Sequence, residues 1–292
     1  MTAVSYREDA RVTPHRNKSR GRKLALIGTH VGLFFWLIVA LTPLIWALSG
    51  SFKPIEDIFV SPPQIIPERP TVANYTDLFS TVPFFGWFMR SILIAGGTAA
   101  FSTFFCALAG FAFAKYRFPG EKILFNIMLS SLMIPFAIIL VPLFIEVTRM
   151  GLSNQYIAYS IPFLIPAFGI FMMRQFIVSV PTELLEAARI DGCGEFRLFL
   201  GVVIPVIRPA LGALFVWFFL TVYNDFLWPA VIVSDSSRYT LTLGLNSLRT
   251  AYSTEYGLVL AGTMLAALPT LIIFILLRKQ LIEGLTAGAV KA

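Results

Sequence analysis

The sequence predicts an all-α membrane protein with six spanning helices and both termini in the cytoplasm. Three observations carry that reading: too little charge for a water-soluble fold, six long apolar runs, and an uneven distribution of lysine and arginine. Of the 292 residues, 57% are hydrophobic and 13% charged, where soluble domains have roughly 45–50% and about 25%. A spanning helix needs roughly 20 mostly apolar residues, so the solvent for much of this chain is lipid.

Taken in order, the apolar runs are Leu24–Leu48, Ile92–Ala114, Ile123–Ile145, Tyr156–Val178, Ala210–Val222 with its flanks, and Tyr256–Leu277. Pro43, Pro135, Pro142, Pro162, Pro166 and Pro269 fall inside these runs. In water such residues break helices, but in a bundle neighbouring helices re-satisfy the freed carbonyls. The first run is too long for a signal-peptide core and reads as an uncleaved helix. With the N-terminus inside, the cytoplasmic segments carry seven Lys and Arg up to Lys23, three in Lys115–Lys122, four in Arg174–Arg208 and three from Arg278 onward. The other six, Lys53, Arg69, Arg90, Arg149, Arg238 and Arg249, lie outside or at the outer rim. That asymmetry sets the orientation. The net charge of +7 is therefore topogenic and attracted to anionic lipid, which argues against nucleic acid as a partner.

The chain accordingly divides into a basic cytoplasmic tail (1–23), a transmembrane domain (24–277) and a cytoplasmic C-terminal tail (278–292). Two outer loops, 49–87 and 228–255, exceed simple connectors. The first holds six prolines and the aromatics Tyr75, Phe79, Phe84, Phe85 and Trp87, which suit either an interfacial belt or a docking surface. The second has a polar centre at Ser234–Arg238, long enough to reach a partner on the outer face.

The cytoplasmic loop 181–209 is the most informative segment. Thr182 is placed to cap a short helix to Ile190, with Glu183 near its positive end. Asp191-Gly192 breaks it, because glycine takes positive φ without penalty and Asp caps a following turn. A second helix then runs to about Val203, before Pro205. The result is a helix–turn–helix outside the membrane, with small Ala187 and Ala188 permitting close approach and Leu184, Leu185, Phe196 and Phe199 as apolar knobs. Glu183, Glu186, Asp191 and Glu195 would repel phosphates, which sets it apart from a DNA-binding helix–turn–helix.

This loop resembles the EAA loop of ABC importer permeases: Glu186, Ala187 and Ala188, three residues, Gly192, and Pro205 thirteen further on. Val202 and Ile204 stand where that family usually has Ile and Leu. AGFAFAKYRFPG (109–120), IDG (190–192), YNDFLWP (223–229) and the terminal EGLTAGAVKA (283–292) are similar to the carbohydrate-uptake branch, in particular to the smaller permease of maltose-type importers. Tyr223 replaces a usual Trp, and Arg90 stands where Asn is common. The resemblance implies a type I ABC importer permease in the bacterial cytoplasmic (inner) membrane, paired with a second homologous permease. It further implies two ATPase subunits that carry ATP and Mg and dock on the EAA loops, and an external solute-binding protein that delivers a sugar. It assigns ATPase coupling to Glu186, Ala187, Ala188, Asp191, Gly192 and Pro205, and a tail contact to Gly284 and Gly288. Tyr223, Asn224 and Asp225 would either face the substrate path or fix a helix end.

Catalytic chemistry is not visible in the chain. Its two histidines are His15 and His30, and no HExxH, paired-cysteine or P-loop pattern occurs, so neither a cofactor nor a metal is expected in this subunit. His30, flanked by Gly28 and Gly32, reads as packing against a neighbouring helix, with a proton relay as the rival. Cys106 and Cys193 lie on different segments and are read as unpaired packing residues. Two other classes fit the sequence less well. A polytopic membrane enzyme would need a nucleophile–base pair or a carboxylate cluster, whereas the hydrocarbon region holds only Glu146 and Arg174, each near a helix end. A proton-coupled secondary carrier would leave the EAA loop unexplained.

Overall fold

The computed structural model describes residues 18–249 and 255–287. The helices are α1 (Lys18–Ser51), α2 (Ile55–Ile58), α3 (Ala73–Thr81), α4 (Phe84–Lys115), α5 (Glu121–Ser131), α6 (Phe136–Arg149), α7 (Tyr156–Ser160, extended by a 3-10 turn to Phe163) and α8 (Ala167–Val178). They continue with α9 (Thr182–Ile190), α10 (Glu195–Leu198), a π turn (Phe199–Val203), α11 (Ile204–Val206), α12 (Arg208–Tyr223), α13 (Leu227–Ile232), α14 (Leu241–Ser247) and α15 (Tyr256–Ala287).

Three helices contain stretches long and apolar enough to cross a membrane unaided: Leu26–Ser51, Phe84–Lys115 and Tyr256–Gln280. Three bent pairs pass the same test only together: α5 with α6 at 100°, α7 with α8 at 53°, and Glu195–Val206 with α12 at 85°. Two predicted runs, Ile123–Ile145 and Tyr156–Val178, are thus broken helices. Pro135 and Pro166 sit in extended conformation at the N-caps of α6 and α8, where a locked φ and a missing N–H stop the preceding helix. Pro43 and Pro269 instead remain inside continuous helices. The last helix runs to Ala287, so the segment after Arg278 continues the span as far as it is described. α12 has 16 residues, a rise of about 24 Å, and it begins at Arg208, before the expected Ala210.

The core is built on α4, which packs against both α8 and α12, and α12 in turn packs on α15. Apolar burial drives helix association weakly in lipid, so close approach and hydrogen bonds do the work. One stripe of α4 is small and buried: Ala95, Ala99, Ser102, Cys106 and Ala107 have no exposed surface. At Gly110 an added Cβ would lie 2.8 Å from the Met173 Cβ and the Arg174 backbone nitrogen, and at Gly169 it would lie 2.7 Å from Cys106 Sγ. Cys106 and Cys193 are both free.

The same stripe supplies donors. Thr98 Oγ1 meets Ser160 Oγ at 2.6 Å, Ser102 Oγ donates to the Phe163 carbonyl at 2.6 Å, and Cys106 Sγ donates to the Pro166 carbonyl at 3.7 Å. These acceptors lie along the break between α7 and α8, where Pro166 supplies no N–H. Lower down, Arg174 Nε donates to the Phe113 carbonyl at 3.1 Å and its guanidinium lies 4.5 Å from the Phe125 ring. Lys115 Nζ donates to the Val180 carbonyl at 2.6 Å, closing the end of α8.

The loops 49–87 and 228–255 are, as far as described, packed structure. Asn74 Nδ2 donates to the Ser51 and Lys53 carbonyls at 2.9 and 2.8 Å, and its Oδ1 abuts Gly257 at the start of α15. Phe84 and Trp87 are buried, the latter against Gly244, whereas Phe79 and Phe85 are exposed. Of the expected aromatic belt, Phe84 and Trp87 therefore belong to the interior. α1 packs chiefly on α15 and its apolar window is unburied. Among the described residues His30 is exposed and does not pack on a neighbouring helix as expected: its Nδ1 lies 2.7 Å from the Leu26 carbonyl of its own helix, and a Cβ added at Gly28 or Gly32 would meet nothing within 4 Å. Glu146 pairs locally with Arg149 at 3.0 Å.

The glycine contacts predict a sharp contrast within α4. Gly110→Val should collapse the folded yield in detergent, measured by size-exclusion chromatography, because its Cβ meets backbone. Gly97→Ala, whose Cβ meets nothing within 4 Å, should leave yield and melting temperature unchanged.

Candidate functional site: the helix–turn–helix of residues 181–209 and its elbow

The loop between α8 and α12 folds as the expected helical pair, with several differences of detail. Pro181 is the N-cap of α9 and makes no side-chain capping bond, so Thr182 is the first helical residue and not the cap. Proline is preorganised there: the first N–H groups of a helix lack intrahelical partners, so its missing donor costs little. α9 ends as predicted at Gly192, whose φ is +78°. The Cys193 N–H bonds the Ala188 carbonyl at 3.0 Å and the Gly192 N–H bonds the Arg189 carbonyl at 3.0 Å, a Schellman-type closure. Gly194, and not Asp191, is the N-cap of α10; Asp191 is exposed as the C-cap of α9.

Pro205 does not end the second helix. The chain absorbs it through the π turn Phe199–Val203, in which the Ile204 N–H bonds the Phe199 carbonyl, and the helix continues to Val206. The wider turn accommodates a residue that lacks the donor an α register would use. The direction changes only at Ile207, where φ is −91° and ψ is 10°, and the resulting 85° elbow joins the loop to α12.

Leu185, Leu198, Phe199 and Val203 are fully or almost fully buried, and Phe199 stacks on Phe111 of α4 with centroids 5.5 Å apart. Leu185 and Phe199, expected as knobs for a groove elsewhere, thus anchor the loop to its own bundle. Leu184 and Phe196 remain exposed. Ala188 packs inward and Ala187 faces outward. The outward face of α9 carries Glu183, Glu186, Ala187 and Ile190, the last 87% exposed.

A polar clamp not identified from sequence locks the turn. Arg189 Nε and Nη2 donate to the two Glu195 carboxylate oxygens at 2.8 and 3.2 Å, and the Tyr116 hydroxyl at the end of α4 donates to the same carboxylate. The Arg189 bonds and then the Tyr116 bond hold Glu195 below its usual carboxylate range. The only sequence signal was that opposite charges flank a Gly-containing turn.

At the outer end, Tyr223 is buried, and its hydroxyl donates to the Ala266 carbonyl of α15 at 2.9 Å. Asn224 Nδ2 turns back to the Leu220 carbonyl at 2.9 Å, and Asp225 Oδ1 accepts from the Leu227 N–H at 3.2 Å. All three contacts fix the α12 end and the start of α13. Arg90 donates to the Tyr239 and Ser237 carbonyls at 2.5 and 2.7 Å, tying the second outer loop to α4. It also borders a cavity of about 610 Å³ with Tyr156 and Ser160. Gly284 lies within α15, and Gly288 lies outside the described residues. Among the described residues, no three His, Cys, Asp or Glu gather to hold a metal ion.

The family model for the binding-protein-dependent transport system inner membrane component matches residues 102–280. The chain is 34% identical over 264 residues to the arabinooligosaccharides transport system permease protein AraQ of Bacillus subtilis, covering 89% of this chain and 94% of that one. It is also 34% identical over 277 residues to the lactose transport system permease protein LacG of Rhizobium radiobacter, covering 92% and 98%. In three dimensions it is similar to a chain in a crystal structure described as a bacterial ABC transporter involved in the import of the acidic polysaccharide alginate. There the TM-score is 0.78 and the identity 21%, with 89% of this chain and 98% of that chain covered.

The clamp predicts a pH-independent loop near neutrality. Because Glu195 titrates below its usual range, its ion pair is complete above that range and is lost only as pH falls through the lowered value. Glu195→Gln should speed hydrogen exchange of the 189–195 amides while costing at most about 1 kcal/mol of stability, as for exposed pairs. Intrinsic-rate-corrected exchange of the unaltered protein should be flat between about pH 6 and 8, well above the ordinary carboxylate range.

Proposed function

We propose, from the premise that this chain belongs to the family of binding-protein-dependent transport system inner membrane components, that it is the sugar-conducting permease subunit of an ATP-driven importer in the bacterial inner membrane. The observation that carries the mechanism is α9: a short helix with an outward acidic and apolar face and a back seated on the second arm of the loop, which is itself tied to α4. Together with a second, homologous permease it forms the path for a sugar or oligosaccharide, and an external solute-binding protein delivers the solute to the outer loops. The curated relatives named for arabinooligosaccharides and lactose support a saccharide cargo.

ATP and its magnesium belong to two separate ATPase subunits, which grip α9. Glu183 and Glu186 form the charged rim of the contact, and Ala187 and Ile190 form its apolar centre. Movement of the ATPases displaces α9 as a rigid body, because the Arg189–Glu195–Tyr116 clamp and buried Phe199 allow little play. The motion reaches α12 through the elbow at Ile207 and α4 through Tyr116 and Phe111. Gly192, with its positive φ, makes the turn that this clamp locks. The six-span, N-in and C-in arrangement places this loop with Lys115 and Arg278 on the cytoplasmic side.

Co-purification of the ATPase with the permease pair, alongside substrate uptake, tests the contact. Gly192→Val should abolish both, since a β-branched residue at that φ costs roughly 1–3 kcal/mol. Gly192→Asn, better tolerated there, should retain them. Glu186→Lys should weaken docking without lowering the amount of permease in the membrane. Wild-type association and uptake in both Gly192→Val and Glu186→Lys would reduce the loop to a connector.

The topology has its own test. Reporter fusions after Gly120 and Cys193 should report cytoplasm, and those at Asn74 and Ser236 the outer face. A cytoplasmic signal from Asn74 refutes the arrangement.

A further inference from the structure

Behind the elbow lies a cavity of about 470 Å³ between α4, α12 and α15, a ligand-sized space. Its polar lining gathers at the end nearest the cytoplasmic loop: Arg208 opens α12, Gln280 lies near the end of α15, and Thr103 lies on α4. Towards the membrane interior it is lined by Ala100, Phe215 and Leu277. From Arg208 to Phe215 the helix rises about 10 Å, so the cavity is polar at one end and oily for two turns beyond.

Two buried polar atoms of this cavity lack a partner, and exposed Arg208 stands at its polar end. Thr103 is only 7% exposed, and its hydroxyl has no hydrogen-bond partner. Gln280 Oε1 is buried and likewise unpartnered. Arg208 makes no hydrogen bond or ion pair among the described residues. A cation in the first turn of a helix also opposes the macrodipole, whose N-terminal end favours anions. Local helix stability therefore gives no reason for an arginine here, whereas an anion at that point would satisfy the guanidinium and the dipole together. Gly212 keeps the site compact: a Cβ there would meet the Gln280 Cβ at 2.8 Å.

We infer that this cavity is a binding site for one anionic phospholipid of the cytoplasmic leaflet, with its phosphate on Arg208 and the Thr103 hydroxyl, a headgroup hydroxyl donating to Gln280 Oε1, and an acyl chain along Ala100, Phe215 and Leu277. A sugar would leave the apolar end unmatched, and a free phosphate would leave it empty. Ile204 also lines the cavity, so the lipid touches both arms of the elbow at Ile207 and acts as a wedge in the hinge. The leaflet rests on the proposed topology, but the site's chemistry does not.

Native mass spectrometry of the full-length chain, purified with its co-purifying subunits and exchanged through delipidating detergent, tests this with phosphatidylglycerol as the probe. One tightly held phosphatidylglycerol per copy of this chain is expected. Arg208→Gln should lower its occupancy at least fivefold, Arg208→Lys should restore part of it, and Ala100→Phe should displace it with Arg208 intact. Retention needs neither ATP nor sugar, so its result is independent of the transport reading. Three results would each overturn the inference: no retained lipid in the unaltered protein, undiminished retention in Arg208→Gln, or displacement of the lipid by millimolar inorganic phosphate. So would crosslinking of a cysteine at position 100 to a partner subunit, which would show that protein fills the cavity.

Discussion

The structure depends on one constraint: a backbone carbonyl stripped of its partner by proline must find another donor where no water is at hand. The stretch containing α7 and α8 breaks at Pro166, and α4 bonds it at four-residue intervals: Ser102 supplies a donor to the Phe163 carbonyl, Cys106 adds to a Pro166 carbonyl that Gly169 and Ile170 also bond, and Thr98 meets the Ser160 hydroxyl. That periodicity is one helical face, so a single helix edge serves the whole break. The same edge must be small to come so close, which is why Ala95, Ala99, Ala107 and Gly110 fill the intervening positions. Hydrogen bonding and close approach are here one requirement.

Satisfying the break fixes α8 on α4, and this sets where the helix–turn–helix loop begins. Lys115 and Arg174 continue the bonding to the membrane edge, and Tyr116 then reaches into the loop itself. Phe199 completes the union by stacking on Phe111. α9 is therefore rigid because its back belongs to the bundle core, and its outward face is free for a partner.

Much of this was legible in sequence. The apolar runs, the helix–turn–helix and the positive φ at Gly192 followed from composition and from glycine's backbone freedom. Chain-local rules failed where the outcome depended on a distant segment. Pro205 reads as a stop until a π turn is available to absorb it, and Pro181 displaced Thr182 from the capping position. Trp87 reads as an interfacial ring, but Gly244 leaves it a buried slot. The Arg189–Glu195–Tyr116 clamp joins residues from two segments, 79 positions apart at its longest reach, and no local pattern announces it. Tyr223 shows the same limit: only the tertiary structure reveals the Ala266 carbonyl as its acceptor.

The π turn at Phe199–Val203 gives the helix–turn–helix loop an angular phase. Removing one residue there and restoring an α register would rotate everything before it by about 100° relative to α12, given 3.6 residues per turn. α9 would then be swung by a little over a quarter turn, taking its acidic rim off its present outward direction and lifting Leu185 from its buried seat. Pro205 guards against that slip, because in an α register its ring would clash with the Gly201 carbonyl. The spacing between Gly192 and Pro205 is therefore a setting of direction as well as of distance, and lineages of this loop should admit changes of residue far more readily than changes of length.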